Sequence, residues 1–239
     1  GRLDEKGYGI LLKEKQDYIF QNYRKAAKKS VLFPGCSFSA YYPETTRYLA
    51  ELYREKTGGG IVFDCCGKPV AELGLEEQER KIIGRIERRL EENGVEEVVA
   101  LCPNCYTFLK PRLDVKVVSI YRKLRELGIG RMLEGRLSVF LPCPDRENGE
   151  LLGDIRAFLE EEPDTVSRVQ CCGLGGCAWK KEKELAAEMA GSAGAVKKPA
   201  AESVRDMGTG KREPVYTYCA SCAGNFARNG RETRHMLLE

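Results

Sequence analysis

The sequence is poor in histidine, in net charge and in long apolar runs. Its 239 residues include a single histidine, His235, and 39 basic residues nearly balance 36 acidic ones, for a formal net charge of +3. One histidine excludes Cys/His zinc fingers, bis-histidine haem and a two-histidine catalytic zinc site as main hypotheses. A charge of +3 is too small for a dedicated nucleic-acid-binding protein, whose surface is strongly basic, so we expect no nucleic-acid partner.

Apolar runs fall well short of the roughly 20 residues that a membrane-spanning helix needs. The first residues contain no signal-peptide-like apolar segment, and the sequence does not begin with methionine. Hydrophobic residues make up 42% of the chain, which is enough to bury a core. We therefore expect a cytoplasmic protein that does not span a membrane. It would reach a membrane surface only through partner proteins.

Short β-rich apolar runs alternate with charged segments of helical periodicity from residue 31 onward. Strands are predicted at 31–33, 61–63, 98–101, 115–118, 137–141, 166–170 and 215–218. Helices are predicted at 43–56, 76–92, 151–161 and 179–191, with another ending at 228. This alternation predicts an α/β fold in which the strands are mostly parallel.

The plan of the first half repeats in the second, which predicts two similar lobes from an internal duplication. We place the first lobe at 31–130, the second at 131–239, and an extension with helical periodicity at 1–30. This extension is either an arm that docks on a partner or a helix that packs on its own domain with a solvated basic face. The second behaviour is the more common one for amphipathic helices.

Cysteine is the informative part of the composition. The chain contains 11 cysteines, an odd number, in a sequence without a visible export signal, and clustered cysteines in that setting more often bind metal or perform redox chemistry. Ten of them form two strings of the same form. The first is Cys36, 28 residues, Cys65-Cys66, 35 residues and Cys102-x-x-Cys105; the second is Cys143, 27 residues, Cys171-Cys172, 46 residues and Cys219-x-x-Cys222.

Each group of cysteines follows a predicted strand. Because the carboxyl ends of parallel strands meet at one edge of a sheet, five thiolates should converge in each lobe. A Cys₄ zinc site would leave one thiolate over, and an iron–sulfur cluster usually takes four. A redox dithiol at Cys102 and Cys105 would leave the other three thiols of the lobe unexplained. The duplicated string therefore predicts a metal ion or cluster in each lobe.

The pattern Cys … Cys-Cys-Gly … Cys-x-x-Cys, in two copies over about residues 31–228, resembles the CCG, or cysteine-rich, domain family. That family includes the B-type subunit of heterodisulfide reductase and iron–sulfur subunits associated with glycerol-3-phosphate, lactate, glycolate and some succinate dehydrogenases. Cys-Cys-Gly-Lys-Pro at 65–69 and Cys-Cys-Gly-Leu-Gly-Gly at 171–176 are most similar to this B-type member of the family. No ferredoxin-type segment precedes the first motif, which also favours the B-type member.

The resemblance implies one noncubane [4Fe-4S] cluster in each lobe. Its ligands would be Cys36, Cys65, Cys66, Cys102 and Cys105 in the first lobe and Cys143, Cys171, Cys172, Cys219 and Cys222 in the second. It also implies an oxidoreductase subunit that receives electrons from a ferredoxin-like iron–sulfur subunit and a flavin-containing subunit. Such a protein cleaves a small disulfide between the two clusters.

Two alternatives stay open beside this interpretation. The chain could be a non-catalytic electron-transfer subunit of a quinone-linked or organic-acid dehydrogenase, or a zinc-stabilised interaction module. The sequence contains no G-x-G-x-x-G fingerprint after a strand, so electrons would have to arrive from partners in either redox case.

Cys177 follows the second Cys-Cys-Gly motif and belongs to neither string. Three roles are open for it: a sixth ligand, a substrate-facing thiol or a small buried residue. The longer 46-residue spacing predicts a surface loop at about 194–213. Gly67 and Gly173 should let the backbone approach a cluster closely.

Four further features remain. Three of them have two interpretations each, and the fourth is expected to have no role in catalysis. Asp64 and Asp145 lie beside motif cysteines and are either proton relays or exposed loop acids without a role. A group of lysines either attracts an anionic substrate or forms a solvated helix face; these are Lys180, Lys181 and Lys183. His235 is expected to be a frayed surface residue of the C-terminal tail.

Overall fold

The computed structural model describes residues 8–165, 171–175, 181–192 and 214–239. The chain divides into two compact units, with the boundary between Ile129 and Gly130. Each unit contains a four-stranded sheet in which all neighbouring strands run parallel. Within the described ranges, no helix combines the length and the apolar character needed to cross a membrane.

The first sheet has the strand order β2-β1-β3-β4. Its strands are β1 Ser30–Phe33, β2 Gly60–Ile61, β3 Glu97–Ala100 and β4 Lys116–Ser119. The described helices of this unit are α1 Gly9–Gln16, α2 Tyr23–Ala26, α3 Gly35–Tyr41, α4 Pro43–Thr57, α5 Lys68–Ala71, α6 Glu76–Glu92, α7 Pro103–Leu109 and α8 Ile120–Glu126. The central strand β1 pairs with β2 on one side and with β3 on the other.

The second sheet has the strand order β6-β5-β7-β8. Its strands are β5 Ser138–Val139, β6 Asp164–Thr165, β7 Val215–Thr217 and β8 Thr233–His235. The described helices are α9 Glu150–Ile155, α10 Lys183–Ser192 and α11 Ala220–Arg228, with 3-10 turns at Cys143–Asp145, Arg156–Phe158 and Met236–Leu238. The order of strands along the sheet is therefore the same in both units.

Burial on both faces explains the continuous apolar strands of the first sheet. Val31, Leu32, Phe33, Val98 and Val99 are all fully buried, as expected when helices cover both sides of a parallel sheet. In α6, Ile82, Ile86 and Leu90 form the buried face, and its first turn carries acidic residues that suit the helix dipole.

The strand order places a topological switch point in each sheet. The chain passes from β1 to β2 on one side and then returns to β3 on the other, so the crevice at the carboxyl ends of β1 and β3 is where ligands bind in such sheets. The corresponding crevice of the second unit lies between β5 and β7. These findings confirm the predicted α/β fold with two similar lobes.

Several predicted elements differ from those observed. The helix predicted at 151–161 ends at Ile155 and continues as a 3-10 turn. The predicted strand 166–170 lies outside the described residues, and a short pair at Asp164–Thr165 occupies that edge of the sheet. Strand β8 was not predicted, because three residues near the C-terminus carry too little periodicity to indicate a strand.

The N-terminal extension packs on its own unit. The Asn22 side chain donates to the Ile61 carbonyl at 3.0 Å and accepts the Phe63 N–H at 2.8 Å, which continues the edge of the sheet beyond β2. Arg85 of α6 donates to the carbonyl of Gln16 at the end of α1. These contacts show that the extension packs on its own domain, which is the second of the two interpretations given for it.

Candidate metal centres

The five cysteines of the first lobe lie on three loops at the carboxyl edge of the first sheet. Cys36 lies in the first turn of α3 after β1, Cys65 and Cys66 follow β2, and Cys102 and Cys105 flank the start of α7 after β3. Pro103 occupies the first turn of α7, where its missing N–H costs no hydrogen bond. The sheet topology thus delivers all five to the switch-point edge.

These five thiols form one continuous chain of contacts. The Cys36 thiol donates to the sulfur of Cys65 at 3.7 Å. Cys65 in turn contacts Cys66, Cys66 contacts Cys105, and Cys105 contacts Cys102 through side-chain hydrogen bonds. The fold therefore brings residues from three different strand ends into one chain of contacts, although Cys36 and Cys105 lie 69 positions apart in the sequence.

Cys66 is the hub of this chain. It accepts hydrogen bonds from Cys105 and Cys65, which lower the pKa of its thiol against the opposing effect of burial. The thiols of Cys36 and Cys105 donate instead, and donation together with burial raises their pKa values. Negative charge therefore concentrates on Cys66 when the set loses protons, since coupled thiols titrate as a group.

Close backbone approach packs the two loops beside the switch point. A Cβ added to Gly35 would lie 2.6 Å from the sulfur of Cys105 and 3.7 Å from the Cβ of Cys102. Gly35 also has φ of 71°, a conformation that side chains disfavour. Glycine at this position is therefore what lets the β1 loop meet the β3 loop at sulfur-contact distance.

A buried acid holds the Cys-Cys-Gly loop of the first lobe. Asp64 is fully buried and accepts hydrogen bonds from Tyr23 Oη at 3.0 Å, from Arg85 Nη2 at 2.7 Å and from the Cys65 N–H at 2.7 Å. Burial raises the pKa of Asp64, and Arg85 opposes that rise. Asp64 thus holds this loop in place, and the alternative that it is an exposed loop acid was wrong.

The second lobe repeats the hub. Cys171 and Cys222 donate to Cys172, and Cys222 also donates to Cys219. The accepted bonds lower the pKa of the Cys172 thiol to about 3, with Cys171 the largest cause. Cys172 corresponds to Cys66, because both are the second cysteine of the Cys-Cys-Gly motif.

Cys143 differs from its counterpart Cys36. It opens the 3-10 turn after β5 and is exposed, although its electrostatic effect on Cys171 places it near that thiol. The structure thus connects four thiols of the second lobe by contacts and places the fifth at the surface beside them.

An apolar cluster surrounds the inner thiols of the second lobe. Cys172, Cys219 and Cys222 are buried together with Phe140 and Phe226, whose rings meet edge to face at 4.9 Å between centroids. The N–H of Gly173 donates to the sulfur of Cys171 at 3.3 Å. Such a low-dielectric setting with N–H donors directed at sulfur is typical of iron–sulfur sites.

Asp145 is the buried acid of the second lobe. It accepts the Tyr218 hydroxyl at 2.6 Å and the N–H groups of Leu151 and Leu152 at 2.9 Å each. It therefore fixes the start of α9 to the residue that precedes Cys219. Like Asp64, it is buried and hydrogen-bonded, so the alternative of an exposed loop acid was wrong here as well.

His235 lies in β8 and is 1% exposed, which makes the expectation of a frayed surface residue wrong. Its Nδ1 accepts the N–H of Leu237 at 3.2 Å. Burial lowers the pKa of its imidazole to about 3, so the ring is neutral at physiological pH. Lys181 and Lys183 are exposed, as a solvated helix face requires, whereas Lys180 and Cys177 lie outside the described residues.

The thiols are assembled by contacts with each other rather than around a preformed coordination geometry. Within the ranges that the structure describes, no three Cys, His, Asp or Glu side chains are already arranged to hold a single metal ion. The donor set itself fits an iron–sulfur cluster, because each lobe offers four or five thiols in contact or close by. The ligand roles of all ten cysteines accordingly stay predictions.

This protein therefore has two α/β lobes, each built on a parallel sheet, and each lobe gathers cysteines from three strand ends. The sequence model of the cysteine-rich CCG domain matches residues 30–110 and again 137–227. Because the two matches cover more than half of the chain, this protein belongs to the cysteine-rich CCG domain family, as its motifs predict. Membership supports iron–sulfur or metal binding and fits a subunit of a redox protein.

Other comparisons give less. No curated protein shows a significant sequence match. Among solved structures, an aspartate racemase from Picrophilus torridus has a TM-score of 0.40 and 9% identity, over 88% of this chain and 90% of its own. An aspartate racemase homologue from Pyrococcus horikoshii OT3 has a TM-score of 0.39 and 14% identity, over 88% and 94%. At these values neither structure bears on the chemistry.

Proposed function

We propose that this chain is an iron–sulfur oxidoreductase subunit, similar to the B-type subunit of heterodisulfide reductase, that holds one [4Fe-4S] cluster in each lobe. It would take electrons from a ferredoxin-like iron–sulfur subunit and a flavin-containing subunit and deliver them to a small disulfide. The observation that carries the proposal is the hub of contacting thiols, built on the second cysteine of Cys-Cys-Gly in both lobes.

The number of thiols per lobe supports a cluster over a single zinc ion. Zinc in a structural site takes four ligands, and the five-thiol chain of the first lobe would leave one buried thiol without a role. A fifth thiol beside the cluster is compatible with the noncubane form that we propose for both sites. The residues that would hold the clusters are the ten cysteines of the two strings.

The overall reaction needs two electrons and two protons for each disulfide. The sulfur–sulfur bond breaks, each sulfur gains one electron and one proton, and two thiols leave. The electrons come from the partner subunits, and the bound clusters would supply one-electron transfer steps. The protons come ultimately from solvent.

Metal analysis is the first test of this proposal. After purification without oxygen, we expect about eight iron and about eight acid-labile sulfide per chain, which corresponds to one four-iron cluster in each lobe. Zinc without sulfide would contradict the proposal and support the zinc-stabilised module instead.

Substrate chemistry is tested on the loaded protein. We expect a small disulfide to perturb the paramagnetic signal of the reduced clusters, whereas the corresponding thioether, which has no sulfur–sulfur bond, should leave it unchanged. Reversible reduction with no response to any disulfide would instead support the non-catalytic electron-transfer subunit.

A further inference from the structure

The N-terminal helix α1 brings a lysine to the first cysteine site. The side chain of Lys15 is only 12% exposed, although lysine is among the residue types most seldom buried. Its ammonium forms an ion pair with Glu14 at 2.5 Å. Lys13, on the same helix, is exposed, as is usual for lysine, and serves as a comparison for Lys15.

Lys15 stays charged in this position. Burial acts to lower the pKa of its ammonium, but the nearby sulfur of Cys36, the Glu14 carboxylate and the sulfur of Cys65 together raise it above the ordinary value. Cys36 and Cys65 are the two thiols at the outer end of the five-thiol chain, where Cys66 is the hub. A positive charge is therefore held beside the thiols rather than released to solvent.

The helix that carries Lys15 is fastened to the Cys-Cys-Gly loop. Arg85 donates both to the carbonyl of Gln16, the residue after Lys15, and to the carboxylate of Asp64 at 2.7 Å. Asp64 also accepts the N–H of Cys65. One guanidinium thus connects the end of α1 to the backbone of a motif cysteine, so the place of Lys15 is set by buried polar contacts.

Tyr18 supports the same placement from the other side. Its hydroxyl is hydrogen-bonded with Ser39, which lies in α3 three residues after Cys36. Burial and the sulfurs of Cys36 and Cys65 raise the pKa of this phenol, and Lys15 opposes the rise. Lys15 and Tyr18 therefore both face the end of the thiol chain that Cys36 and Cys65 form.

The second lobe has a different cation at a different point. Arg146 acts electrostatically on Cys172, the hub thiol, while it donates to the Leu141 carbonyl at 3.2 Å and lies over the Phe140 ring. The two sites therefore receive positive charge at unlike positions, from an N-terminal lysine in one lobe and from a loop arginine in the other.

We propose that Lys15 is a charge-compensating residue of the first cysteine site, which stabilises the added negative charge when the cluster there is reduced. The inference rests on the proposed function, because it assumes a cluster in the first lobe. The step is a one-electron reduction by an external reductant, in which no bond is broken and Lys15 keeps its proton. A fixed, partly buried positive charge near the cluster favours the reduced form of that cluster.

The test is a potentiometric titration monitored by paramagnetic resonance on the full chain. Lys15→Met removes the charge at nearly constant length, and we expect it to lower the reduced-to-oxidised ratio of one cluster by about tenfold at fixed potential, or about 59 mV for one electron. Lys15→Arg should retain most of the original midpoint, and Lys13→Met, on the exposed side, should change neither cluster.

Assignment to a lobe comes from hub variants. Combined with Cys172→Ser, which leaves the first site intact, Lys15→Met should still shift the remaining signal. Combined with Cys66→Ser, it should not. A shift of the second-lobe cluster, or equal midpoints for Lys15→Met and the parent protein, would overturn the role of Lys15.

Iron and sulfide counts separate this inference from the proposed function. Full loading with an unmoved midpoint overturns only the role of Lys15, whereas absence of sulfide in the parent protein overturns both. If Lys15→Met lowers the loading of the first-lobe cluster without abolishing it, while Lys15→Arg keeps the cluster at the parent midpoint, the shift is measured on the partially loaded samples. Failure of both variants to load that lobe would assign Lys15 a purely structural role and contradict the proposal.

Discussion

The two cysteine sites have the same centre and unlike surroundings. In both lobes the second cysteine of Cys-Cys-Gly accepts from its neighbours, and the second cysteine of Cys-x-x-Cys donates to it. Around this centre the first lobe adds a contacting Cys36 and the helix with Lys15, whereas the second leaves Cys143 exposed. Duplication has therefore kept the hub and changed its outer side.

The difference suggests a division of labour between the sites. The outer side of the first site, where Lys15 lies near a partly exposed Cys36, suits electron storage under a fixed charge. The exposed sulfur of Cys143 suits contact with an external sulfur compound. Under the proposed function, the second lobe would thus meet the substrate more readily than the first.

Substitution of a hub thiol is expected to have the largest effect on the similarity between the two cysteine sites. We expect Cys66→Ser to remove the cluster of the first lobe only and Cys172→Ser that of the second only, so that iron falls from about eight to about four per chain in each variant. Each hub thiol contacts two neighbours, so its loss interrupts the chain at the centre. Iron and sulfide analysis with paramagnetic resonance measures both variants.

Ser221→Ala is the matched control for these substitutions, because it changes a side chain between Cys219 and Cys222 without removing a thiol. It should retain about eight iron. Loss of all iron from either hub variant would show one shared site and contradict the duplication of the cofactor.

The glycine of the Cys-Cys-Gly motif gives a second contrast between the lobes. Gly67 and Gly173 both have positive φ, at 88° and 79°, so alanine is strained at either position. A Cβ at Gly67 would meet the Ile82 side chain at 2.8 Å, whereas one at Gly173 would overlap the backbone carbonyl of Ala186. Side chains can move aside more easily than the backbone of a packed helix.

We therefore expect Gly67→Ala to cost about 1–2 kcal/mol and Gly173→Ala about 3 kcal/mol of unfolding free energy. Urea unfolding followed by circular dichroism measures both changes. Gly84→Ala is the control, since a Cβ there meets open space within helix α6 and should be neutral or slightly stabilising. Equal costs at Gly67 and Gly173 would show that strain alone, and not the contact with Ala186, decides the effect.

Patterns confined to one element were predictable, and the structure confirms them. Helix Glu76–Glu92 has its predicted bounds because its apolar face repeats over more than four turns. The convergence of motif cysteines followed from their position after strands, since parallel topology brings strand ends together. Strand β8 was not predictable, because Thr233–His235 is short and its middle residue, Arg234, is exposed.

Contacts between distant side chains that no motif or strand end marks could not be predicted. Asp64 stands beside Cys65 in the sequence, but its partners Tyr23 and Arg85 lie 41 and 21 positions away, and nothing local marks them. The same holds for Lys15, whose neighbours Cys36 and Cys65 are reached only when α1 folds back on the first lobe. Tertiary packing, rather than local preference, decides whether such polar side chains are buried.

The smallest expected contrast is the contribution of His235 to the pH dependence of the second lobe's stability. His235 is the chain's single histidine, and burial lowers its pKa from 6.5 to about 3 in the folded state. Between those values the unfolded chain binds a proton that the folded chain does not, so stability falls as pH falls. From pH 7.5 to 5.5 we expect this imidazole to contribute a loss of about 1.4 kcal/mol to the stability of the second unit.

Urea unfolding at the two pH values measures this loss, and His235→Gln provides the comparison. The variant is expected to have a lower baseline stability, because the Nδ1 that accepts the Leu237 N–H is removed, but a flatter dependence on pH. Hydrogen exchange then assigns the effect, since amides of β8 should lose protection at pH 5.5 relative to those of β3. An unchanged pH slope in His235→Gln would mean that other groups carry the dependence, and that the buried imidazole takes up a proton within the folded lobe.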